Sequence, residues 1–194
     1  MKNLKMYCVT NKVVNFLDKT NYDIGWVGLD VPPANYIMCN LQDNIFFKEQ
    51  FYSELTFHYW YWKNKLILND PDWIGFCQKR RFWLQNKKND YSKDIKKQLL
   101  NKIPDEWTNF DSVICEPVSL KNTKLIKIFK RGWKNLIKNP LLMFDRSKHT
   151  IKLHFDMFHG YGNIDLAIDV MHTKDKDDFK KFIYKSTSYN PHIV

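Results

Sequence analysis

Aromatic residues are concentrated between positions 43 and 83, and this stretch limits the folds open to the chain more than any other. Most of the seven tryptophans lie in it. Apolar side chains recur there at helical spacing, with one face made by Phe51, Leu55, Tyr59, Trp62 and Leu66. The other faces carry Phe57, Trp60 and Tyr61. The pattern predicts a helix from Phe51 to Leu66 that is apolar nearly all round and is buried by layers on both sides.

Two polar side chains interrupt this aromatic helix. Glu54 and His58 are one helical turn apart. A carboxylate that is removed from water needs a partner, because its desolvation is costly. His58, or an arginine from the strand that follows, would provide that partner. Two interpretations stay open, a polar pair that serves the core and a catalytic carboxylate at Glu54.

A short apolar run follows the helix and ends in cations. Residues 73–77 lie between turn residues and predict a buried strand, and Lys79, Arg80 and Arg81 come directly after it. Open α/β sheets bind ligands beyond the carboxyl ends of their strands, and guanidinium groups pair with phosphate through two hydrogen bonds. The run therefore indicates either a diphosphate site at Arg80 and Arg81 or a solvated basic turn.

The first strand is predicted near the start of the sequence. Leu4–Thr10 is rich in residues that favour strands, and it ends in the polar residues Thr10, Asn11 and Lys12. Such an opening is typical of nucleotide-binding α/β folds. Further short strands are predicted at 24–28 and 111–115. Neither a Gly-x-Gly-x-x-Gly motif nor a Walker motif is present, which argues against a dinucleotide cofactor and against a P-loop NTPase.

The order and spacing of four motifs resemble a bacterial family of glycosyltransferase-like domains of capsular and surface polysaccharide synthesis. That family has a first strand ending in Thr-His-Lys, an Asp-Asn-Ile turn, an aromatic helix that opens with Glu-Leu-Thr, and a strand that leads into Cys-His-Tyr-Arg-Arg. This sequence has Thr10-Asn11-Lys12, Asp43-Asn44-Ile45, Glu54-Leu55-Thr56 and Cys77-Gln78-Lys79-Arg80-Arg81. The resemblance covers nearly the whole chain. Family members continue further, so the C-terminal part of the family domain is expected to be missing here.

This resemblance implies a fold, an activity and most of a site. The implied fold is one α/β domain over residues 1–194, of the glycosyltransferase A type, with a mixed sheet flanked by helices. The implied activity is transfer of a sugar from a nucleoside diphosphate donor to a glycan or lipid-linked glycan, with a divalent metal (Mn²⁺ or Mg²⁺) as an open requirement. The donor is expected to contact Thr10, Asn11, Lys12, Asp43, Asn44, Arg80 and Arg81.

The sequence departs from the family pattern at two positions. Asn11 and Gln78 stand where the family usually has histidine, so any role of those imidazoles is absent or altered here. Asp70-Pro71-Asp72 has the letters of the Asp-x-Asp metal motif of such enzymes. These residues precede their strand instead of following it, so we do not expect them to bind the donor's metal.

Residues 121–138 contain seven lysines and arginines and no acidic residue. The apolar side chains that share one helical face there are Leu125, Ile128, Phe129, Leu136 and Ile137, with Trp133 near it. A basic amphipathic segment of this kind is typical of helices that lie on an anionic membrane. The alternative is an ordinary amphipathic helix packed on the sheet with a solvated lysine face. A lipid-linked acceptor would suit the membrane interpretation.

Histidines and carboxylates cluster between residues 151 and 171. A helix is predicted over 151–159, on which Asp156 and His159 are three residues apart and face the same way. After a glycine-containing break, the helix resumes with Asp165 in its first turn. The family has a His and an Asp around such a break, which the resemblance maps onto His159 and Asp165. They would act as base and orienting group or, for His154, Asp156 and His159, as metal ligands, whereas a hydrogen-bonded helix junction is the alternative.

Composition narrows the partners and the location. The formal net charge of +10 suggests an anionic partner: a nucleotide, nucleic acid or an anionic membrane. No apolar run is long enough to span a membrane, and no signal peptide is recognised. Four widely spaced cysteines predict buried thiols in a reducing cytoplasm. We expect a protein of the cytoplasm, or of the inner face of the cell membrane.

Two other functions stay open at this stage. The first is a non-catalytic partner in a polysaccharide-synthesis complex, which a truncated domain without its usual histidines would suit. The second is a basic nucleic-acid-binding domain, in which aromatic rings stack on bases. Nucleic acid is the less favoured partner, because the aromatic residues are predicted on a buried helix and not on an exposed sheet face.

Overall fold

The fold is α/β and contains a four-stranded sheet. The computed structural model describes residues 3–85, 94–117, 119–120 and 124–189. The strands are β1 (Leu4–Thr10), β2 (Asp23–Trp26), β3 (Ile37–Met38) and β4 (Trp73–Gln78), in the order β3-β2-β1-β4. All four run parallel. The predicted α/β class is confirmed. The predicted mixed sheet is not what the described strands form, since antiparallel pairing among them is limited to isolated bridges at Gln78–Arg81 and Leu84–Leu99.

Strand β1 lies inside the sheet and is covered on both faces. Cys8 is in register with Cys77 of β4. Because successive strand residues point to opposite faces, Met6 and Cys8 belong to one core, whereas Tyr7 and Val9 belong to the other. Burial on both faces explains why this strand reads as a nearly continuous apolar run.

The predicted strands are recovered except for one. Strand β1 has its predicted bounds, and β4 extends one residue beyond its predicted end. The strand predicted at 111–115 is wrong, because residues 112–117 have no regular secondary structure. An apolar run becomes a strand only where a neighbouring strand can bond to it, which the run itself does not show. Part of the charged segment 84–102 lies outside the described residues. In the described part of this segment, Leu99 and Leu100 are buried.

The aromatic helix is broken in two. Helix α1 (Glu49–Tyr52) and helix α2 (Leu55–Asn64) replace the single helix that was predicted. The break is at Ser53, whose φ of 47° lies outside the helical region. The residues before and after Ser53 therefore point their side chains in directions that a continuous helical pattern does not give.

Helix α2 packs on the sheet through one face only. Phe57, Trp60 and Tyr61 are buried in the core that contains Tyr7 and Val9. The predicted burial on all sides is wrong, since the opposite face of the aromatic segment is exposed, with Trp62 and Phe51 largely open to solvent.

The approach of helix α2 to the sheet depends on a glycine in β2. A Cβ atom at Gly25 would lie 2.6 Å from the Phe57 ring. Such a distance is far below an ordinary carbon–carbon contact. Gly25 therefore lets the helix sit close to strand β2, and this fixes where the first residues of α2 lie.

Residues 1–114 and 115–193 form two compact units. The second unit contains helices α3 (Leu125–Arg131), α4 (Trp133–Lys138), α5 (Ile151–His159), α6 (Asn163–Asp169) and α7 (Thr173–Ile183). Its buried residues form two clusters, one with Ile151, Ile164, Ile168 and Ile183, and one with Ile128, Leu142, Leu153 and Met157. The expected single domain over 1–194 stays a prediction.

The cysteines carry free thiols. Cys8, Cys39 and Cys77 are buried, as predicted, and Cys115 is half-buried. Burial raises the pKa of the Cys39 thiol to about 12, so this side chain is a neutral core group near neutral pH. Within the described ranges, no helix is both long enough and apolar enough to cross a membrane.

Candidate functional site

A cavity of about 140 Å³ lies at the carboxyl ends of strands β1 and β4, beside the start of helix α2. Ligands of parallel sheets bind at this edge. The cavity is lined by Val9, Thr10, Asn11, Val27, Ser53, Glu54, Gln78, Lys79 and Arg80. It therefore brings together four separate stretches of the chain, and two of them are the strand ends that the sequence predicted, at residues 9–11 and 78–80.

Thr10 shapes the turn that follows β1. Its hydroxyl oxygen accepts a hydrogen bond from the Lys12 backbone N–H (3.1 Å), and its O–H donates to the Lys12 carbonyl (2.7 Å). The side chain is buried. Because the hydroxyl is committed to the backbone, Thr10 fixes the turn that places Asn11 in the cavity lining, whereas Lys12 lies outside the lining.

A tight turn places two cations at the end of β4. The backbones of Gln78 and Arg81 exchange two hydrogen bonds of 3.0 and 3.2 Å, so Lys79 and Arg80 form the tip of the turn. The Lys79 ammonium donates to the side-chain oxygen of Asn11 at 2.5 Å. This bond holds the ammonium against the turn that follows β1.

Cations outnumber carboxylates here, since Lys79 and Arg80, with Lys12 close to Lys79, face the single carboxylate of Glu54. Burial lowers the pKa of Lys79, and the nearby charges of Lys12 and Arg80 lower it further. Among the described residues, none of these three cations forms an ion pair with a carboxylate. A group of cations in this state is stabilised by an anion that enters the cavity.

The two predicted arginines have different surroundings. Arg80 lines the cavity, whereas Arg81 is outside the lining and contributes its backbone to the turn. Both side chains are exposed. The structure thus separates a pair of residues that the sequence presented as equivalent.

Glu54 has a different partner from those predicted. Its carboxylate accepts a hydrogen bond from the side-chain amide of Gln78. His58 stacks against Phe76 instead, with the ring centres 4.3 Å apart. Burial lowers the pKa of His58 to about 4, and the negative charge of Glu54 offsets only part of this effect. The imidazole is therefore neutral near pH 7 and does not form an ion pair with Glu54.

Ser53 and Lys79 are cavity residues that sequence reasoning did not select. Lys79 was visible in the basic run after β4, but its contact with Asn11 depends on how β1 and β4 pair. Ser53 keeps a positive φ at the lining of the cavity. Non-glycine residues in such conformations are enriched at functional sites. A single serine before a helix carries no sequence signal of this kind.

Asp43 and Asn44, predicted to contact the donor, lie outside the cavity lining. The Asp43 carboxylate accepts from the Tyr59 hydroxyl at 3.1 Å, and its carbonyl accepts from Asn64 at 2.7 Å. The Asn44 side chain donates to the Asn40 and Gln42 carbonyls. These bonds hold the loop after β3 on the side of helix α2, and a contact with a donor stays a prediction.

The second unit brings two of its predicted carboxylates together around one lysine. Lys152 lies 2.6 Å from Asp165 and 3.3 Å from Asp156. Asp156 is buried and also accepts from the Gly162 N–H at 3.3 Å. Burial lowers the pKa of Lys152, but the hydrogen bonds and charges of Asp165 and Asp156 outweigh it and the pKa is raised overall. This arrangement ties helix α5 to helix α6, as the helix-junction alternative predicts.

His159 is not part of this ion group. Asp156 and His159 are three residues apart on α5, as predicted, but Asp156 is buried and His159 is exposed, so the two side chains have different surroundings. The His159 ring packs on Phe155 with centres 4.5 Å apart. His154 bonds to the Tyr189 hydroxyl at 2.5 Å. Among the described residues, no group of three or more His, Cys, Asp and Glu side chains is placed to hold a metal ion.

A larger cavity, of about 340 Å³, lies along the other half of β4. It includes Asp70 and Asp72, which carry the letters of a metal motif. Asp72 accepts hydrogen bonds from the Asn3 backbone N–H (2.7 Å) and side-chain amide (3.1 Å), and these bonds lower its pKa. Because Asp72 precedes β4, it is at the amino end of the sheet, as predicted, and its carboxylate joins β4 to the residue before β1.

The described structure is thus that of an α/β protein with a cationic cavity at the carboxyl edge of a parallel sheet. Residues 5–192 match the family described as the domain of unknown function DUF4422, and the chain belongs to this family. No curated protein and no solved structure matches the chain.

Proposed function

We propose that the chain is a glycosyltransferase of the A type that binds the diphosphate of a nucleotide-sugar donor in the cavity at Thr10 and Arg80. One observation carries the proposal: Lys79 and Arg80 line the cavity with Lys12 close to Lys79, and none of the three forms an ion pair with a carboxylate among the described residues. The motif resemblance to glycosyltransferase-like proteins of surface polysaccharide synthesis supports the choice of donor.

The size of the cavity limits what it holds. Pockets for whole small molecules measure roughly 300–1,000 Å³, and this one is about 140 Å³. The diphosphate therefore occupies the cavity, while the nucleoside and the sugar extend from it. Helix α2 starts beside the cavity, and the positive end of its dipole adds to the attraction for phosphate.

The cations stabilise the leaving group. Transfer breaks the bond between the sugar's anomeric carbon and the diphosphate oxygen, and negative charge develops on that oxygen. Lys79 and Arg80 lie where this charge forms, and fixed cations in a cavity stabilise such a transition state. The part of the chain that the structure describes has no group of three or more His, Cys, Asp and Glu side chains placed to hold a metal ion, and turnover with and without Mn²⁺ tests whether a divalent ion is required.

Glu54 is the carboxylate of this site. It lies in the cavity lining, and Gln78 holds its orientation. In the proposed reaction Glu54 accepts the proton of the acceptor hydroxyl as the acceptor oxygen bonds to the anomeric carbon. The acceptor is a glycan or a lipid-linked glycan of surface polysaccharide synthesis at the cytoplasmic side. Asp156 and Asp165 are assigned the helix junction, and His159 receives no chemical role.

The test is turnover by the purified chain. Nucleoside diphosphate release is measured for a panel of uridine, guanosine and thymidine diphosphate sugars. Each donor is assayed with and without Mn²⁺, and in the presence and absence of a lipid-linked or short glycan acceptor. Donor affinity is measured in parallel by calorimetry. We expect one nucleotide class to bind and to be turned over, and both signals to fall at least about tenfold in Arg80→Ala, because charge-assisted bonds contribute about 1.5–3 kcal/mol.

Arg81→Ala is the matched control, since it removes the same charge from the adjacent residue outside the cavity. Glu54→Gln should retain donor binding and lose turnover. If no donor binds to the folded chain, the transferase proposal fails. If donors bind and the Glu54→Gln variant turns them over at the wild-type rate, the donor site is supported and Glu54 is not the base.

A further inference from the structure

Helices α3 and α4 expose a row of apolar side chains. Members of the row follow one another at spacings of three or four residues, and each is more than half exposed: Ile126, Phe129, Trp133 and Ile137. At about 100° per residue, Ile126 and Phe129 are about 60° apart on α3, and Trp133 and Ile137 are about 40° apart on α4, so each pair shares one face of its helix. Large apolar side chains gathered in this way mark interaction surfaces.

The row continues across the junction between the two helices. The Gly132 N–H bonds to the Ile128 carbonyl at 2.7 Å, and the Leu136 N–H bonds to the Gly132 carbonyl at 3.0 Å. Both bonds span four residues, so hydrogen bonding continues through the junction, although the Gly132 backbone (φ −103°, ψ 16°) departs from helical values. The sequence had predicted a single apolar face with Ile128, Phe129 and Ile137 together, and the structure divides it into an inner and an outer set.

The inner set anchors the helices. Ile128 and Leu136 pack in the cluster that contains Leu153 and Met157 of α5. A Cβ atom at Gly132 would lie 3.3 Å from Met157 Cγ, so glycine permits this close contact. The outer row is not needed for that core, and its exposure therefore calls for a binding partner outside the unit.

Cations flank the outer row. The six in residues 124–138 are Lys124, Lys127, Lys130, Arg131, Lys134 and Lys138, with no acidic residue among them. None of them forms an ion pair with a carboxylate among the residues that the structure describes. At helical spacing, Lys127 and Lys130 lie within about 100° of Ile126 on α3, and Lys134 lies about 100° from Trp133 on α4, so each helix has lysine beside its apolar pair.

We propose that this face binds an anionic membrane surface. Helices that lie in a lipid interface combine a lysine-rich side with a side of Trp, Phe and aliphatic residues, and anionic headgroups attract clustered lysines. Nucleic acid matches the charges but gives Ile126 and Ile137 no apolar partner. The inference is independent of the proposed transferase activity, because it concerns a surface of the second unit alone.

The test uses the full chain and unilamellar vesicles. Co-sedimentation is measured with phosphatidylcholine vesicles and with vesicles that also contain phosphatidylglycerol. The wild-type chain should bind the anionic vesicles and leave the neutral ones. Phe129→Gln with Ile137→Gln should weaken this binding at least about tenfold, since each buried apolar side chain contributes that much or more. Lys127→Gln with Lys130→Gln and Lys134→Gln should weaken it and reduce its salt dependence.

Helix α6 offers a matched control pair. Leu166 and Val170 are also four residues apart and highly exposed, but they lie beside Asp165 and Asp169. Leu166→Gln with Val170→Gln should bind vesicles like the wild-type chain. The proposal is overturned if the wild-type chain does not bind anionic vesicles, or if the two apolar double variants lose the same amount of vesicle binding. It is also overturned if only the lysine substitutions weaken vesicle binding. The proposal would also be overturned if the chain bound single-stranded DNA more tightly than anionic vesicles and if substitution of Phe129 and Ile137 did not change that affinity.

Discussion

The side-chain amide of Gln78 donates a hydrogen bond to the carboxylate of Glu54, which joins the end of strand β4 to the start of helix α2. The resemblance implies a histidine at the position of Gln78, and an amide is the donor here instead. An amide keeps its N–H groups at every pH, whereas an imidazole gains and loses a proton near neutrality. The orientation of Glu54 is therefore insensitive to protonation of its partner.

The hydrogen bond between Glu54 and Gln78 should be measurable in a double-mutant cycle, as the coupling between the two side chains in the free energy of unfolding. Gln78→Leu leaves a partly buried carboxylate without its donor, and we expect the free energy of unfolding to fall by about 1–3 kcal/mol. Urea unfolding at pH 7 measures the change. In a Glu54→Leu background the same substitution should cost far less, because no carboxylate remains to be satisfied. An equal loss in both backgrounds would show that Gln78 acts through packing alone.

Asn11 provides an isosteric test of the cationic cavity. Asn11→Asp places a carboxylate against Lys79, where the present amide oxygen lies 2.5 Å from the ammonium. The new ion pair compensates the charge that the site offers to phosphate. We expect affinity for a nucleoside diphosphate, measured by calorimetry, to fall at least about tenfold, and thermal stability to be kept or raised.

The control for this change is Asn109→Asp. Asn109 is an exposed residue of the same unit outside the cavity lining, and the substitution changes the net charge equally. It should leave diphosphate affinity within about twofold of the wild-type value, since distant surface charges are screened. Equal losses in the two variants would mean that net charge, and not the cavity, governs binding.

The sequence was informative where one local pattern decides the outcome. The strand Leu4–Thr10 and the cations after β4 could be located because apolar runs and their polar ends are visible along the chain. The grouping of Thr10, Glu54 and Gln78 follows from strand register and from the glycine at position 25, which lets helix α2 approach. The resemblance supplied most of the motif order, but it did not distinguish Arg80 from Arg81.

Other features could not be predicted from the sequence, because they depend on contacts between residues that are distant in the chain. The break at Ser53 is a backbone conformation that no single residue type signals. Periodicity placed Phe129 and Ile128 on one face, but only packing on Met157 decides which of them is buried. Lys152 pairs with Asp156 and Asp165 and not with His159, because Asp156 is buried against helix α6 whereas His159 is exposed at the end of α5.

His58 should make stability depend on pH. Its pKa is lowered to about 4 by burial, below the ordinary value near 6.5. As the pH falls from 6.5 towards 4, the unfolded chain binds a proton that the folded chain does not, so stability is lost in this window. Between pH 7 and 4.5 we expect His58 to account for a loss of about 2 kcal/mol.

The variant His58→Phe tests this directly, because it keeps an aromatic ring on Phe76 and removes the titration. Urea unfolding at the two pH values should show a smaller loss for the variant than for the wild-type chain. His172→Phe, at an exposed histidine, serves as the comparison and should leave the loss unchanged. An unaltered pH dependence in His58→Phe would mean that His58 titrates alike in the folded and unfolded chain.

Lys152 should be the most sensitive charged residue of the second unit. Lys152→Met removes the cation that faces the buried Asp156, and we expect a loss of about 3 kcal/mol or more, since an unpaired buried charge is costly. Asp165→Asn removes the half-exposed partner and should cost less than about 1 kcal/mol, because solvent screens that pair. The free energy of unfolding in urea at pH 7 distinguishes the two.

Removing both members of the buried pair separates charge from packing. If the cost of Lys152→Met comes from the abandoned carboxylate, Lys152→Met with Asp156→Leu should recover most of the stability. Recovery would identify Lys152 as a counter-ion that lets Asp156 bind the Gly162 N–H and hold the turn between α5 and α6. A double variant no more stable than Lys152→Met alone would instead mean that the lysine's aliphatic stem, and not its charge, joins the helices.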